Sequence, residues 1–348
     1  MTATDDRSPL SDSTEPDAPA HQPRWFRRRF VLGFGWLATA GLLFFTLLRW
    51  SGMESGWFLV VIVSFAPYVT ILGVVGLGLL ALMRHWWALG VSAVCVVLLA
   101  AMVVPRAISG DTPGSSSADG PSVRVMAANI AVGEGDERQV VEWVKEHDIE
   151  ILTVQEMTDL SADRFIELGI DDHLPHQVVE TGWAAEGSAI YSRYPLERRG
   201  ELEPDGIFHQ PMAAVTHPDG HEVNVMSVHT AAPRFADRIP EWESDFAQFP
   251  SPSEDDFWLL AGDFNATLDH RNMRELLDTG FADAASVTGD GWAATWYTEG
   301  RFAGGLLSPP PITLDRVVVD ERGAITEFAV LEDFDSDHRP VIAEVRLP

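Results

Sequence analysis

Three long runs without a charged residue fill much of the first third of this chain. They span residues 30–48, 57–83 and 86–104. Each is long enough to cross the roughly 30 Å of a hydrocarbon core as a helix. A secretory signal peptide would be a single short apolar stretch, and buried helices of a soluble protein are the alternative. We therefore predict three transmembrane helices, with Pro67 kinking the second.

Arginines flanking the first run predict its orientation. Arg24, Arg27, Arg28 and Arg29 precede it, and basic residues favour the cytoplasmic side of a membrane. Three crossings from a cytoplasmic N-terminus place everything after residue 104 outside the cytoplasm, although Arg106 is a signal in the opposite direction. We expect a multi-pass protein of the cell membrane whose C-terminal part is extracellular.

Composition divides the rest of the chain. Residues 1–22 are polar and aperiodic, which predicts a disordered cytoplasmic tail. The three-helix segment takes residues 23–105, and residues 106–121, rich in Ser, Gly and Pro, are predicted to be a flexible linker. Residues 122–348 remain as one domain. The single cysteine, Cys95, lies in an apolar run and says nothing about the redox compartment.

Charge is distributed unevenly between these parts. Residues 1–104 carry 7 Arg against 6 acidic residues, which leaves 17 basic and 46 acidic residues for the remainder. A net charge of −29 repels a polyanion, so we expect no nucleic-acid partner. Solubility or adaptation to salt explains the acidity equally well. Salt screens it beyond roughly 8–10 Å, so a small anionic substrate can still reach a local metal site.

From residue 122 onward, short β-rich runs alternate with helical and turn patterns. Val140, Val141 and Val144 share one face of a predicted helix over 136–147, and a second helix over 234–249 is expected to break near Pro240. The motif His217-Pro-Asp-Gly220 predicts a hairpin turn. Hairpins mixed with helices indicate two packed sheets with helices outside. The predicted strands are 123–126, 149–154, 188–191, 212–216, 222–228, 257–261, 313–319, 325–331 and 340–346.

Polar residues directly follow one of these strands and directly precede another, and packing of an apolar core does not require polar residues at such positions. Ala261-Gly-Asp-Phe-Asn265 ends one strand, and Ser336-Asp-His-Arg-Pro340 precedes another. Each places a carboxylate beside a second polar group, and both can converge on one pocket. Such groups suit a divalent cation and a phosphate. The residues alone therefore predict a metal-dependent phosphohydrolase.

Seven short motifs occur in a fixed order along the predicted domain. They are Asn129, Gln155-Glu156, Ser192-Arg-Tyr-Pro195, His229, Gly262-Asp-Phe-Asn265, Leu314-Asp-Arg316 and Ser336-Asp-His-Arg-Pro340. In this order they resemble the endonuclease/exonuclease/phosphatase superfamily, which includes DNase I, exonuclease III, sphingomyelinases and inositol-polyphosphate phosphatases. The resemblance implies an α/β fold, a four-layer α-β-β-α sandwich preceded here by three transmembrane helices. Its active site lies where strand ends converge at one edge of both sheets.

The resemblance also implies a metal site. Glu156 is the principal ligand of Mg²⁺, for which Mn²⁺ is an alternative, with Asn129 and Asp337 beside it. Some nucleases of the superfamily carry a carboxylate two positions after the first asparagine, where this chain has Ala131. That departure leaves one or two metals open. Arg193 is expected to support the site without touching substrate.

The remaining implied roles are catalytic. Asp315 orients the imidazole of His338, and the general base is either His338 or Asp263. Asn265 and His229 donate hydrogen bonds to the phosphate as charge develops. Taken singly, some of these residues have ordinary structural explanations: His229 is compatible with a strand-end histidine, and Asp315 with an ion pair on a strand face.

Three spans followed by an outward-facing domain of this family resemble the actinobacterial membrane proteins of the VanJ teicoplanin-resistance type. That resemblance implies a lipid-linked phosphate as substrate, with undecaprenyl pyrophosphate as the candidate, and the bilayer as partner. The apolar loop 302–311 is a candidate for receiving an acyl or prenyl chain, with a plain surface loop as the alternative. The competing functions are an extracellular nuclease or sphingomyelinase-like phosphodiesterase, and a catalytically silent membrane-anchored binding protein. Oligomeric state and any role in antibiotic resistance stay open.

Overall fold

The structure is a computed structural model that describes residues 24–115, 118–202, 206–297 and 308–348. The predicted tail, residues 1–22, lies outside the described residues. The same holds for residues 116–117 of the predicted linker and for residues 302–307 of the loop considered above as a chain-binding segment.

Between residue 24 and the domain, the described residues form four α-helices: α1 (Arg24–Ser51), α2 (Trp57–Val63), α3 (Ala66–Leu82) and α4 (Trp86–Val103). By length and composition, α1 and α4 could each cross a membrane, and α2 with α3 makes a third candidate if the bent pair is one span. The bend between α2 and α3 is 67° and lies just before Pro67, in the first turn of α3. Proline has no N–H for the preceding turn, so the helix restarts there.

The described elements of the domain are β1 (Ser122–Asn129), α5 (Glu137–Glu146), β2 (Ile151–Gln155), α6 (Asp159–Glu167), β3 (His176–Glu180), β4 (Ser188–Ser192), β5 (Leu196–Leu202), β6 (Gln210–Thr216), β7 (Glu222–His229), α7 (Ile239–Gln248), β8 (Trp258–Asp263), α8 (Arg271–Leu277), β9 (Phe281–Asp283), α9 (Ala284–Thr288), β10 (Asp315–Asp320), β11 (Ala324–Val330) and β12 (Val341–Arg346). The described strands form two six-stranded sheets. The first has the order β11-β12-β1-β2-β4-β3, and the second has the order β5-β6-β7-β8-β10-β9.

Three strands were not predicted, and all three lie at sheet edges. β3 is only partly buried, β5 carries several charges, and β9 has three residues. Edge strands often carry charges or stay short, which removes the apolar alternation that identifies a strand. The helix predicted over 234–249 begins instead at Ile239. Pro240 therefore starts the helix rather than breaking it, as expected for proline in a first turn.

Three apolar clusters separate the layers. Val125 and Val225 belong to the cluster between the two sheets. Phe165 of α6 packs with β1 and β2 on the outside of the first sheet, in a cluster that also buries the predicted valine face of α5. Trp242 of α7 packs in a third cluster outside the second sheet. Helix, sheet, sheet and helix thus form the four layers, and the two-sheet α/β fold is confirmed.

The described part of the predicted linker contacts the domain. The N–H of Gly110 donates to the carbonyl oxygen of Val287 at 2.8 Å, and the Thr112 hydroxyl accepts from the N–H of Ile325 at 2.9 Å. Thr112 is buried. These bonds hold the described residues between α4 and β1 along the domain surface.

The helices and the domain meet at a buried ion cluster, which we call the junction: Arg49, Arg106 and Asp269. Asp269 is fully buried, and its carboxylate accepts from Arg49 Nε at 2.7 Å and from Arg106 Nη2 at 2.8 Å. Next to it, His270 Nε2 lies 2.9 Å from the carbonyl oxygen of Val60, whose side chain is buried in the outer cluster of the second sheet. Helix α2 is therefore packed as part of the domain.

Replacing Asp269 by Asn removes the charge shared by two buried guanidinium groups. We expect the free energy of unfolding to fall by about 3–5 kcal/mol, because removing one partner leaves uncompensated buried charge. Denaturant unfolding of the full-length protein in detergent, followed by tryptophan fluorescence, measures the change.

Glu275→Gln is the matched control. It removes an exposed carboxylate 3.7 Å from Arg271, and exposed pairs contribute about 0–1 kcal/mol. Equal, small losses in the two variants would show that the junction contributes little to stability.

Candidate active site

The predicted site residues gather where strands of both sheets end, on one side of the domain that we call the active-site edge. β1 runs parallel to β2, and β7 runs parallel to β8, so their carboxyl ends lie on the same side. β10 is antiparallel to β8 and places Asp315 directly opposite Asp263, while β7 places His229 opposite Asp263. β12 is antiparallel to β1, so the loop before it brings Asp337 and His338 to this edge.

The backbone is unusual where the strands end. Glu156 and Asn265 adopt left-handed conformations, with φ of 62° and 44°. Gly262 has a φ of 145°, and a Cβ there would lie 2.1 Å from the carbonyl oxygen of Val228. Glycine is therefore required before Asp263, since any side chain would push the two parallel strands apart. Uncommon backbone conformations of this kind are typical of functional sites.

Asn129 links two carboxylates. Its Nδ2 lies 3.3 Å from Glu156 Oε1 and 3.3 Å from Asp263 Oδ2. Burial raises the pKa of Glu156, and His338 and Asn129 partly offset the shift. Burial likewise raises the pKa of Asp263, against the opposing charge of His338. Both carboxylates thus lack the solvation that an anion requires, and a nearby cation would supply it.

His338 lies between two carboxylates. Its Nδ1 donates to Asp315 at 2.9 Å, and its Nε2 lies 3.6 Å from Asp263 Oδ2. Burial disfavours the charged imidazole, but Asp315 and Asp263 outweigh it and raise the pKa of His338 to about 10. In the metal-free protein His338 is therefore a buried cation at neutral pH.

His229 has the opposite character. It is buried, and its ring stacks on Phe208 with centroids 4.2 Å apart. Nε2 lies 3.9 Å from Glu156 Oε1 and 4.0 Å from Asp263 Oδ2. Burial dominates and lowers the pKa of His229 to about 4, so the imidazole is neutral at pH 7. A neutral imidazole can donate one hydrogen bond to a phosphate oxygen.

The side chain of Asn265 is already engaged. Its Nδ2 donates to the carbonyl oxygen of Thr230 at 2.9 Å and lies 3.2 Å from Asp263 Oδ2. The backbone N–H of Asn265 also donates to Asp263 Oδ1 at 2.8 Å. Donation to a phosphate therefore requires Asn265 to exchange its contact with Asp263.

Asp337 lies on the loop beside this cluster. Its charge raises the pKa of both Glu156 and His338, so the carboxylate lies within electrostatic range of the two. The preceding Ser336 donates from Oγ to the carbonyl oxygen of Asn129 at 2.8 Å and accepts from the N–H of His338 at 3.1 Å. The serine thereby ties the loop to the end of β1.

The donor set at this edge fits a hard divalent cation. Glu156, Asp263 and Asp337 supply carboxylate oxygens, the ligand type that Mg²⁺ prefers. The amide of Asn129 would have to turn to offer its oxygen, because Nδ2 faces Glu156 and Asp263 while Oδ1 accepts from the N–H of Ala131 at 3.0 Å. In the part of the chain that the structure describes, a different group of three residues has its potential metal-ligand atoms within 4.8 Å of one another. That group is Asp263, Asp315 and His338. Because a charged imidazole fills that triad, we assign it to proton and charge handling, and keep Glu156, Asn129 and Asp337 as the predicted metal ligands.

Several contributors had no signal in the sequence. Thr295 Oγ1 accepts from the N–H groups of Leu314 and Asp315, both at 3.0 Å, and fixes the start of β10. Phe208, which stacks on His229, comes from a distant loop.

Two arginines of the sequence motifs lie away from the site. Arg193, expected to support the site, pairs instead with Asp148 at 2.6 Å. Asp148 precedes β2, so this pair lies at the opposite end of the strands. Arg316 is buried against Asp283 and points away from the site.

Comparison with known proteins agrees with this geometry. A family model described as "Endonuclease/Exonuclease/phosphatase family" matches residues 126–338. No curated protein matches the chain. Among solved structures, a humanized D. rerio TDP2 is similar with a TM-score of 0.52 and 13% identity, covering 64% of this chain and 98% of that one. This likeness shows a shared fold and does not extend to substrate.

Two further solved structures are similar at lower scores. An endonuclease/exonuclease/phosphatase from Beutenbergia cavernae DSM 12333 has a TM-score of 0.49 and 18% identity, covering 65% of this chain and 72% of that chain. An AP endonuclease from Archaeoglobus fulgidus has a TM-score of 0.49 and 16% identity, covering 64% and 98%.

Replacing Asp315 by Asn tests the charge balance around His338. We expect the pKa of His338 to fall from about 10 toward or below its ordinary value near 6.5, because burial then opposes the cation with one carboxylate fewer. Histidine ¹³C NMR titration of the metal-free protein measures it, with the resonance assigned from His338→Gln. Asp333→Asn, an exposed carboxylate on the same loop, is the control and should leave the pKa unchanged.

Proposed function

This chain belongs to the endonuclease/exonuclease/phosphatase family of metal-dependent phosphoester hydrolases, and from that premise we propose that it is a membrane-anchored hydrolase of a lipid-linked phosphate. The observation that carries the proposal is the meeting of half-buried Glu156 with the buried side chains of Asp263, Asp315 and His338 at one edge of two sheets. The junction also buries ionisable groups, but there two arginines neutralise one carboxylate, whereas here the carboxylates outnumber the one charged imidazole, which is typical of a functional site.

A Mg²⁺ ion held by Glu156, Asn129 and Asp337 would neutralise charge on the non-bridging oxygens of the phosphate. The protein's own groups divide the remaining work. Asp263, desolvated and with a raised pKa, is placed to accept the proton of the attacking water. This assignment favours Asp263 over His338 as general base.

His338 is better suited to a different role. Held protonated by Asp315, it presents its Nε2–H on the side of Asp263 and can donate to a phosphate oxygen as charge builds up. Neutral His229 and, after releasing Asp263, Asn265 would donate to the same group. His338 is fixed by buried Asp315 before substrate binds, which is the property that electrostatic catalysis requires, whereas Asn265 donates only once it has released Asp263.

The position of the helices supports a membrane-borne substrate. The junction follows Asn265 by four residues, the hydroxyl of Tyr68 in α3 donates to the carbonyl oxygen of Pro311 at 2.6 Å, and the indole N–H of Trp292 donates to Val103 at 2.9 Å. All three contacts involve loops at the edge that carries the site. Tethering at this edge would raise the effective concentration of a substrate confined to the same bilayer.

The net charge of the chain after residue 104 and the residue at position 131 also bear on the choice of substrate. The net charge of −29 after residue 104 disfavours a polyanionic substrate. Ala131, where some related nucleases carry a carboxylate, contributes no metal ligand. We therefore favour a prenyl pyrophosphate such as undecaprenyl pyrophosphate over a nucleic acid.

The activity itself is testable with the full-length protein in detergent. We expect Mg²⁺-dependent phosphate release from prenyl pyrophosphates and none from oligonucleotides, abolished by EDTA and restored by Mg²⁺ or Mn²⁺. Asp263→Ala and His338→Ala should each lower kcat on the order of 10³-fold or more, because the site groups act as a unit. Glu332→Ala, which removes an exposed carboxylate from the loop of His338, should match the wild type. Activity on oligonucleotides alone would favour the alternative of an extracellular nuclease. Inactivity on every substrate would favour the alternative of a catalytically silent binding protein.

Orientation can be tested through the single cysteine. In a Cys95→Ala background, Asp333→Cys should react with a membrane-impermeant maleimide in intact cells, because three crossings place the domain outside. Ser11→Cys, in the N-terminal tail, should react only after lysis. The reverse pattern would place the domain in the cytoplasm.

A further inference from the structure

An open groove runs between α1 and α3. Its volume is about 490 Å³, and its lining extends from Ile62 and Val69 at one end to Phe34 and Met83 at the other. The groove thus follows nearly the whole length of α3, about 25 Å at 1.5 Å per residue. Its length and narrow course suit an extended chain better than a compact ligand.

The chemistry of the lining selects an apolar occupant. Thr39 and Ser92 are the only hydroxyl residues among the lining side chains, and they lie 3.0 Å from each other. Thr39 also donates to the carbonyl oxygen of Gly35 at 2.9 Å. Because both hydroxyls already have partners, the groove offers a ligand little besides hydrocarbon surface.

Glycines keep the groove open. A Cβ added at Gly41 of α1 or at Gly76 of α3 would meet no atom within 4 Å, so neither glycine is needed for close helix packing. Gly73 differs, because a Cβ there would lie 2.8 Å from Val96 of α4. The α3–α4 contact is therefore tight. Helices α1 and α3 also touch, since a Cβ at Gly35 would lie 3.2 Å from Leu80, and the free space between them lies around Gly41 and Gly76.

One end of the groove meets the active-site edge. Ile62, which lines it, belongs to α2, whose Val60 is buried in the domain. Val69, which also lines it, follows Tyr68, and Tyr68 bonds to Pro311 four residues before Asp315. The groove is thus continuous with the helix–domain interface, on the side where the phosphate would bind.

We propose that this groove holds the hydrocarbon chain of the amphiphilic phosphate whose head group is hydrolysed at the active site. The inference rests on the proposed function and adds the site for the substrate's tail. Lipid tails are as apolar as the lining, so moving a chain into the groove brings little hydrophobic gain. Its contribution is orientation, since a chain lying along α3 directs the head group toward Asp263 and His338.

Filling the groove tests the proposal. Gly41→Leu and Gly76→Leu insert a side chain where the structure has room. Gly33→Leu in α1 and Gly78→Leu in α3 are matched controls, because a Cβ at either also meets nothing within 4 Å and neither residue lines the groove. All four variants are compared in full-length protein with equal thermal unfolding midpoints.

With a long-chain prenyl pyrophosphate in mixed micelles, we expect kcat/KM to fall about tenfold, or 1.4 kcal/mol, in the two groove variants and to stay unchanged in the controls. With a five-carbon prenyl pyrophosphate all five proteins should be equal. Equal rates of groove and control variants on the long chain would overturn the proposal and leave the groove to bulk lipid. A wild type that hydrolyses neither pyrophosphate would remove the proposed function and this inference together.

Binding can be read without turnover. A long-chain prenyl phosphate carrying a photoreactive group at the chain end should crosslink to α1 and α3 of the wild type and of Gly78→Leu, and not to Gly76→Leu. Crosslinks of equal yield in Gly76→Leu and Gly78→Leu, or crosslinks confined to the outer faces of α4, would contradict a chain held between α1 and α3.

Discussion

The parallel pairing of β1 with β2 and of β7 with β8 is the constraint on which the rest of this structure depends. Each pair requires a helical crossover, supplied by α5 and α7, and each ends at the same edge of its sheet. The two sheets pack through a shared apolar cluster, so the two sets of strand ends face one another. Antiparallel β10 and β12 then bring Asp315 and the 331–340 loop to that edge.

Electrostatics at this edge follow from burial more than from any single pair. Glu156, Asp263 and Asp315 are taken out of water, and the one buried cation among them, His338, cannot satisfy all three. Two histidines in one site therefore take opposite charge states: His338 is held protonated by two carboxylates, while His229, stacked on Phe208, stays neutral. A divalent cation bound at Glu156 would supply the positive charge that these carboxylates lack. The buried acids are therefore a physical reason for a metal at this site.

The helices before the domain belong to the same construction. Asp269 takes two arginines, one from the end of α1 and one from just beyond α4, and Val60 of α2 completes an apolar layer of the domain. The loop that follows Asp263 and carries Asn265 therefore contacts three different helical segments. Under the proposed function, this arrangement would join anchoring and catalysis in one packed unit.

The helices of the uncharged runs, the polar groups at strand ends and the two-sheet fold class could all be predicted from the sequence. These features depend on composition and periodicity, which are properties of neighbours along the chain. Edge strands such as β5, whose charges hide the alternation, could not. Nor could several contacts: His338 with Asp263, Phe208 on His229, Arg193 away from the site, or Asp269 with arginines 220 and 163 residues distant. The sequence by itself determined which chemical groups would stand at the sheet edge. The packing of two sheets and a helical bundle alone decided which of them touch, because contacts between distant residues exist only once those layers are in place.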